Sequence, residues 1–310
     1  MIRENASRRD VRFWAAFAVM VLIAGLNFPA VRFSNRELAP IYGAGIRFLA
    51  AALLLYAFVV WRGIALPTRE QMKGTVLYGV LNFAASYAFA YVALVSLSSG
   101  VAAVILGSVP VITLLLAAGQ GVERFRLRGL IGAIIAVAGI VVLVGAPSKV
   151  HVSVGAVLFM LGAALSGSES SIVIKKYPTG DPMATNAVGM AVGGILLLVL
   201  SAVFGERWSV PANWTTWASL VYLVLFGSIG LFGLFLYALK RGTATRVSYM
   251  FVLTPIIASL SGAALAGESV TVAMIAGGVI VLVGVYLGAL SGPTTSAPQP
   301  APAHPAPAEP

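Results

Sequence analysis

The sequence predicts an all-α polytopic membrane protein with ten transmembrane helices, arranged as two inverted five-helix repeats. Three observations lead to this prediction: the apolar composition, the presence of ten apolar segments of helix length, and an internal repeat. Of the 310 residues, 59% are hydrophobic and 10% are charged, and the mean hydropathy is +0.97. A soluble globule of this size needs more polar surface than this composition supplies.

The ten segments are defined by length, because a bilayer core about 30 Å thick needs about 20 apolar residues per helix. The predicted spans are residues 13–33, 40–61, 73–95, 99–120, 128–146, 153–174, 183–204, 216–239, 245–266 and 270–290. Prolines such as Pro40, Pro67, Pro147 and Pro211 fall between spans, where the missing N–H costs least. Residues 1–12 form a polar, basic segment followed by an uncleaved first span, and residues 293–310 form a disordered Pro/Ala tail.

The basic residues indicate the orientation of the chain. With a cytoplasmic N-terminus, fifteen Lys and Arg residues lie in inner segments and four in outer loops, and the remaining one, Arg47, lies inside the second span. This positive-inside bias predicts that both termini are cytoplasmic. It also explains the net charge of +10 without a nucleic-acid partner, since the bases form no patch.

The sequence also contains an internal repeat. One shift of 145 residues superimposes four pairs: Pro110 on Pro255, Glu123 on Glu268, Gly132 on Gly277 and Gly139 on Gly284. A unit of five spans is odd, so its copy must enter the membrane from the opposite side. We therefore predict two inverted repeats, residues 13–146 and 153–290, which is a recurrent architecture of secondary transporters.

The order of features in each half, an apolar span with a Pro, a terminal Glu, a short loop and a Gly-rich span, resembles the EamA family of the drug/metabolite transporter superfamily. The resemblance covers about residues 13–290, and its closest likeness is to bacterial amino acid exporters, including YddG-like aromatic amino acid exporters. It implies a multi-pass protein of the bacterial inner membrane that exports small metabolites by alternating access. It also implies a central cavity lined by spans one to four and six to nine, with spans five and ten peripheral.

Two ionisable residues lie within spans, where a charge is costly and a functional role is the default hypothesis. Glu169, about 9 Å below the inner boundary, is a counter-charge for a substrate amine, a proton carrier, or a carboxylate that reaches the interface. Arg47, about 10 Å below the outer boundary, either attracts a substrate carboxylate or reaches the outer surface. Their opposite depths argue against a direct ion pair.

Other candidates for the cavity are polar or aromatic. In span one, Asn27 lies next to Pro29, which indicates either a local break at the cavity wall or a tolerated kink. In span three, Tyr78, Asn82 and Ser86 recur every four residues and form one polar face, which must meet a cavity or another helix. Tyr222 in span eight and Tyr249 in span nine fit either a cavity wall or an interfacial anchor.

Four further residues are predicted to be structural. Pro110 and Pro255 kink spans four and nine, either as a fixed curve or as a hinge. Glu123 and Glu268 fall at helix ends, where a carboxylate can cap the N-terminus of the next helix. The Gly residues of spans five and ten are packing surfaces, within the fold or between protomers.

Motifs of an enzyme are missing from the sequence. It holds no GxxxxGK[ST], no HExxH and no cysteine, so we expect no ATP site, no metal, no other cofactor and no catalysis. The first hypothesis is a carrier that exports amino acids or similar metabolites, as a monomer or weak homodimer. The alternatives are a proton-coupled exporter of lipophilic cations that uses Glu169, and a membrane enzyme or a scaffold without transport activity, against which the absence of a catalytic cluster counts.

Overall fold

The computed structural model of the protein describes residues 2–122, 127–145, 153–241, 244, 247 and 250–287. Within these ranges the regular structure is helical, without strands. The helices are α1 (Ile2–Ser34), α2 (Pro40–Trp61), α3 (Arg69–Ser96), α4 (Ser99–Gly119), α5 (Leu127–Gly145), α6 (Val154–Lys176), α7 (Pro182–Val203), α8 (Trp214–Lys240), α9 (Met250–Ala266) and α10 (Val272–Val285).

Seven helices of the described chain are long and apolar enough to cross a membrane: α1 to α4 and α6 to α8. Helices α5, α9 and α10 carry shorter apolar stretches of 10–17 residues. The prediction of a polytopic, all-helical membrane protein is therefore confirmed, whereas the number of ten transmembrane helices stays a prediction.

Local sequence signals define the helix ends. Pro40 and Pro182 stand in the first turns of α2 and α7, where a proline loses no helical hydrogen bond. Ser153 caps α6 by accepting a hydrogen bond from the Ala156 amide. Helices α2, α4, α7 and α9 are each followed by a glycine with positive φ, a conformation that terminates helices without strain: Gly63, Gly121, Gly205 and Gly267.

Two helices contain a π-helical segment in the middle of the membrane-length stretch. The segments are Gly79–Ala85 in α3 and Leu225–Gly230 in α8, and their starting points lie 146 positions apart, close to the repeat shift of the sequence. Such segments are rare and are frequent at functional sites. Both helices also contribute to the central cavity described below.

Pro110, Pro255 and Pro29 have different effects on the helices that contain them. Helix α4 is interrupted at Gly107 and Ser108, and Pro110 stands in the first turn of the helical segment that follows. Pro255 lies inside α9 without interrupting it. Helix α1 also continues through Pro29, so the local break that the sequence allowed there is not present.

Close packing between the two halves depends on glycines. A side chain at Gly45 of α2 would meet Leu198 of α7, and one at Gly194 of α7 would meet Leu49 of α2. The residue numbers rise along α2 as they fall along α7, so the two helices cross antiparallel. They begin at Pro40 and Pro182, which lie 142 positions apart, close to the repeat shift of 145.

Helices α5 and α10 pair in the same way. An added Cβ at Gly139 would lie 2.8 Å from the carbonyl oxygen of Gly277, and an added Cβ at Gly284 would lie 2.6 Å from the carbonyl oxygen of Gly132. These glycines are thus used within the fold. The opposite faces of the pair expose aliphatic side chains, such as Ile134 and Val279, as lipid-facing surfaces do.

Carboxylates in the connections also join the halves. Glu206, after α7, accepts hydrogen bonds from the amides of Ile41 and Tyr42 at the start of α2, at 3.1 and 2.8 Å. Glu37, after α1, accepts from the side-chain amide of Asn213 at 2.6 Å, just before α8. Hydrogen bonds from Thr216 and Asn213 outweigh partial desolvation and lower the pKa of Glu37 below its ordinary value.

Candidate functional site

A central cavity of about 120 Å³ lies between the two halves. It is lined by residues of α1, α2, α3, α4, α6, α8 and α9. Of these lining residues, Arg47 alone carries a formal charge, and the others are apolar, aromatic, amide or hydroxyl groups. The cavity is therefore a mainly apolar chamber with one fixed cation in its wall.

Arg47 is fully buried and connects three helices through its guanidinium group. Its Nε donates to the Ser228 hydroxyl at 2.8 Å, Nη1 to the Tyr91 hydroxyl at 3.1 Å, and Nη2 to the Gly227 carbonyl oxygen at 2.8 Å. The same group lies 4.9 and 5.1 Å from the ring centres of Phe48 and Tyr87. Polar groups and aromatic faces thus stabilise the positive charge of the guanidinium group. No carboxylate of the described residues pairs with it.

The π segment of α8 supplies two of these partners. Gly227 and Ser228 lie within it, and the Ser228 hydroxyl donates in turn to the Leu223 carbonyl oxygen at 2.8 Å. An added Cβ at Gly227 would lie 2.4 Å from Asn27 Oδ1 and 3.1 Å from Arg47 Nη2. Glycine is required here because Asn27 and Arg47 occupy the space that any side chain would need.

Asn27 reaches this cluster from α1. Its Nδ2 donates a long hydrogen bond, 3.5 Å, to the same Gly227 carbonyl oxygen that Arg47 contacts. Its Oδ1 is buried and has no protein donor. An unpartnered amide oxygen beside a cavity wall is a ready acceptor for a donor of the substrate, since leaving it unpaired is costly.

The polar face of α3 also reaches the cavity in part. Asn82 and Ser86 line it, and both make hydrogen bonds to α6: the Ser170 hydroxyl donates to Asn82 Oδ1 at 3.2 Å, and the Ser86 hydroxyl donates to the Ala163 carbonyl oxygen at 2.9 Å. Tyr78 is fully buried behind them and donates to Asn186 Oδ1 of α7 at 3.2 Å. The face therefore serves both the cavity and helix packing.

Aromatic rings form much of the remaining wall. Tyr87 and Phe232 are 6.0 Å apart between ring centres, and Phe232 and Phe235 are 6.2 Å apart. Phe28, Tyr91 and Phe251 also line the cavity. We did not predict these residues from the sequence, because an aromatic ring in an apolar helix has the same local pattern whether it faces lipid, core or cavity.

Other predicted site residues lie away from the cavity. Glu169 does not line it, and its Oε2 accepts a hydrogen bond from Gln120 Nε2 at 2.5 Å, near the end of α4. Gln120 Oε1 accepts in turn from Lys176. Tyr222 does not line the cavity either, and it donates to the Ile23 carbonyl oxygen at 3.1 Å. Tyr249 lies outside the described residues.

Glu268 contacts a helix N-terminus, but not that of the next helix in the chain. Its Oε2 accepts from the Ser99 amide and its Oε1 from the Ser99 hydroxyl, both at 2.8 Å, so it caps α4 of the other half. Helix α10 is capped by Thr271 instead. Glu123, the counterpart of Glu268 in the sequence repeat, lies outside the described residues.

Comparison with known proteins agrees with a transport architecture. The sequence profile described as the EamA-like transporter family matches two segments of the chain, residues 13–145 and 154–289. The chain thus holds two EamA repeat domains. A crystal structure that is 18% identical in sequence superimposes with a TM-score of 0.66, covering 90% of this chain and 97% of the other, and so shares the fold.

Similar sequences are named as transporters. The inner membrane transporter YedA of Escherichia coli K12 is 31% identical over 272 residues, covering 87% of this chain and 88% of YedA. A transporter of Archaeoglobus fulgidus is 30% identical, covering 88% of this chain and 97% of the relative. A probable amino-acid metabolite efflux pump of Salmonella typhimurium is 28% identical, covering 87% of this chain and 92% of the pump.

Proposed function

Because this chain belongs to the EamA-like transporter family, we propose that it is a secondary carrier that exports amino acids or similar carboxylate metabolites from the cell. The observation that carries the proposal is Arg47, the charged residue of the cavity wall, which has no carboxylate partner among the described residues. A relative named as a probable amino-acid metabolite efflux pump supports the same substrate class.

The charge of Arg47 favours a carboxylate over a cation in the cavity. At an effective dielectric constant of about 20, two unit charges about 4 Å apart interact with about 4 kcal/mol, attractive for a carboxylate and repulsive for an ammonium group. The opposing charge of Glu169 is not on the cavity wall. This arrangement counts against the alternative of lipophilic-cation export.

The remaining wall suits the other parts of an amino acid. Asn27 Oδ1, close to Gly227, is a candidate acceptor for the substrate ammonium group. The aromatic residues of the wall, such as Tyr87, Phe232 and Phe235, favour an apolar or aromatic side chain. We therefore place neutral amino acids with large side chains first among candidate substrates.

The packing of the halves supports alternating access. Equivalent helices of the two repeats, α2 with α7 and α5 with α10, cross antiparallel, as two inverted five-helix units require. A cavity between inverted units is the usual substrate site of secondary carriers. We propose ten transmembrane helices on this basis, with both termini on the cytoplasmic side of the inner membrane, as the positive-inside rule indicates.

Counterflow in proteoliposomes tests the substrate class with the unmodified protein. Vesicles preloaded with tyrosine should accumulate labelled tyrosine. External 3-(4-hydroxyphenyl)propionate, which keeps the carboxylate, should compete with tyrosine, whereas tyramine, which keeps the ammonium group, should not. Competition by tyramine alone, or no counterflow with any neutral amino acid, would contradict the proposal.

Variants at Arg47 identify the residue responsible. Arg47→Gln should weaken tyrosine counterflow about a hundredfold, because loss of a desolvated charge interaction costs about 3 kcal/mol. Arg47→Lys keeps the charge and should retain more activity than Arg47→Gln, although it loses the planar array of donors. The melting temperature of each variant in detergent serves as a control for folding. Counterflow in Arg47→Gln as fast as in the unmodified protein would exclude a role for the charge.

A further inference from the structure

We propose that Glu268 is a gating residue, whose carboxylate closes one end of the cavity by holding the two repeats together and must release them during each transport cycle. The inference rests on the proposed carrier function only in that a carrier must open and close. It concerns the contact between Glu268, Ser99 and Arg32, here called the inter-repeat contact.

The inter-repeat contact concentrates several strong interactions on one carboxylate. Glu268 belongs to the second repeat, and it accepts the two hydrogen bonds from Ser99 at the start of α4 in the first repeat. Its Oε1 also lies 3.1 Å from Nε of Arg32, in the last turn of α1. The Glu268 side chain is only 9% exposed, so solvent and salt screen these charges little.

Arg32 extends the inter-repeat contact to a third helix. Its Nη1 donates to the carbonyl oxygen of Leu97, directly after α3, at 2.6 Å. Arg32 thus holds the ends of α1 and α3 together beside the Glu268 carboxylate. A movement that separates the second repeat from this face must break the ion pair and both hydrogen bonds to Ser99.

The inter-repeat contact stands at one end of the cavity. Val31 and Leu94 line the cavity, and they precede Arg32 and Leu97 by one and three residues. Both are nearly inaccessible, at 3% and 4% exposure. The side chains are therefore tightly packed where the carboxylate joins the repeats, which is the position that a gate requires.

The backbone of Glu268 keeps the carboxylate in place. The Glu268 amide donates to the Gly262 carbonyl oxygen at 3.1 Å. This hydrogen bond terminates α9, together with the positive φ of Gly267. An added Cβ at Gly262 would lie 2.5 Å from Glu268 Oε2 and 3.2 Å from the Ser99 Cβ. The absence of a side chain at position 262 thus allows the carboxylate to pass between α9 and α4.

Glu206 provides a matched control for simple helix capping. Its carboxylate also crosses between the repeats, and it accepts hydrogen bonds from two amides at the start of α2. It forms no ion pair among the described residues, and neither Glu206 nor Glu268 itself lines the cavity. A capping effect alone should therefore be similar for Glu206→Gln and Glu268→Gln, whereas a gating effect should be specific to Glu268.

The first experiment measures opening without any assumption about the substrate. The chain has no cysteine, so Val31→Cys gives a single thiol, buried at the end of the cavity beside the inter-repeat contact. We expect Glu268→Gln to raise the labelling rate of this thiol by a membrane-impermeant maleimide about tenfold, since a charge-assisted contact is lost from a two-state equilibrium. Glu206→Gln should leave the rate unchanged. An unchanged rate in Glu268→Gln, or an equal rise in both variants, would overturn the proposal.

The second experiment replaces the carboxylate contact with a covalent link between α4 and α9, because a side chain at position 262 takes the space of Glu268 Oε2. Ser99→Cys and Gly262→Cys together place two Cβ atoms near disulfide range, about 3.5–4.5 Å. Oxidation should reduce tyrosine counterflow at least tenfold and reduction should restore it. Leu38→Cys and Gly43→Cys lie within one repeat, and their Cβ atoms would be 3.4 Å apart. Counterflow by this double variant should not change on oxidation.

The two experiments separate the gating proposal from the proposed substrate. If tyrosine and related carboxylates are not transported, maleimide labelling alone decides whether Glu268 controls opening. If Glu268→Gln does not fold, the oxidised and reduced forms of the Ser99→Cys, Gly262→Cys variant decide. Counterflow that is as fast in the oxidised form as in the reduced form would overturn the gating role.

Discussion

Arg47 illustrates how a cation can remain inside an apolar helix bundle without a carboxylate beside it. Moving an ion out of water costs several kcal/mol even after relaxation. Hydrogen bonds to a charged group contribute about 1.5–3 kcal/mol each, and Arg47 has three of them as well as two aromatic rings at cation–π distance. These contacts offset the cost and leave the charge uncompensated toward the cavity.

Gly227 is the residue on which this arrangement depends most directly. Gly227→Ala would place a methyl group 2.4 Å from Asn27 Oδ1, and the resulting overpacking should cost about 1–3 kcal/mol. We expect a lower melting temperature in detergent and weaker amino acid counterflow.

A matched control for Gly227→Ala is Gly119→Ala, at the end of α4. An added Cβ there has no neighbour within 4 Å, and the backbone φ is not positive. This variant should melt within about 1 °C of the unmodified protein, because changes at open sites cost little. A Gly227→Ala protein as stable and active as Gly119→Ala would contradict the tight packing of Asn27 on Gly227.

At the level of elements, the irregular helices matter most for the site. The π segment of α8 presents Gly227 and Ser228 to Arg47, and that of α3 contains Asn82 on the cavity wall. Regular helices surround them and fix their position, as α2 does by packing on α7. The π segments thus place Asn82 on the cavity wall and hold the Arg47 guanidinium group, while residues in regular helix form most of the wall.

The packing of α5 on α10 can be tested by a substitution at one glycine. Gly284→Val should separate the helices, because an added Cβ would lie 2.6 Å from backbone atoms of Gly132 and Ala136. Backbone cannot move aside as a side-chain tip can, so we expect a loss of about 2 kcal/mol or more and less folded protein in the membrane.

Gly278 on the same helix supplies the control. Its added Cβ would meet Val104 at 3.4 Å, an ordinary contact, so Gly278→Ala should leave the melting temperature nearly unchanged. If Gly284→Val were tolerated equally well, the glycines of α5 and α10 would not be the packing surface between these helices.

At the level of the whole molecule, the two repeats are joined by antiparallel pairs of equivalent helices and by carboxylates that cross between them. The carboxylates are Glu37, Glu206 and Glu268. The cavity lies between the repeats, so a relative movement of the repeats would change its access. This is the physical basis for linking the fold to transport.

Site-directed labelling tests the inverted arrangement. The connection after α2 and the connection after α7 are equivalent in the repeat and should face opposite sides of the membrane. Leu66→Cys and Val210→Cys lie in these connections and are 43% and 79% exposed. An impermeant maleimide should label Leu66→Cys only from the cytoplasmic side and Val210→Cys only from the outside. Labelling of both from one side would contradict two inverted repeats.

The sequence by itself determined that the protein is a helical membrane transporter with an internal repeat. Apolar segment length, prolines between segments and glycines after helices are local properties, and the lipid environment permits few alternatives to a helix. The small residues of spans five and ten, among them Gly139 and Gly284, predicted a packing surface, but not whether it lies within the fold or between protomers. The residues that surround the cavity could be predicted only in part, as Asn27, Arg47, Asn82 and Ser86.

Only the tertiary structure decided which polar groups share the cavity. Glu169 and Arg47 have the same local description, a single charge in an apolar span, yet Glu169 contacts Gln120 whereas Arg47 lies on the cavity wall. Glu268 caps α4 rather than the next helix because the loop after α9 meets the other repeat in space. The physical reason is that the direction a side chain faces depends on which helices pack against it, and those contacts join residues that are 44 to 181 positions apart in the sequence.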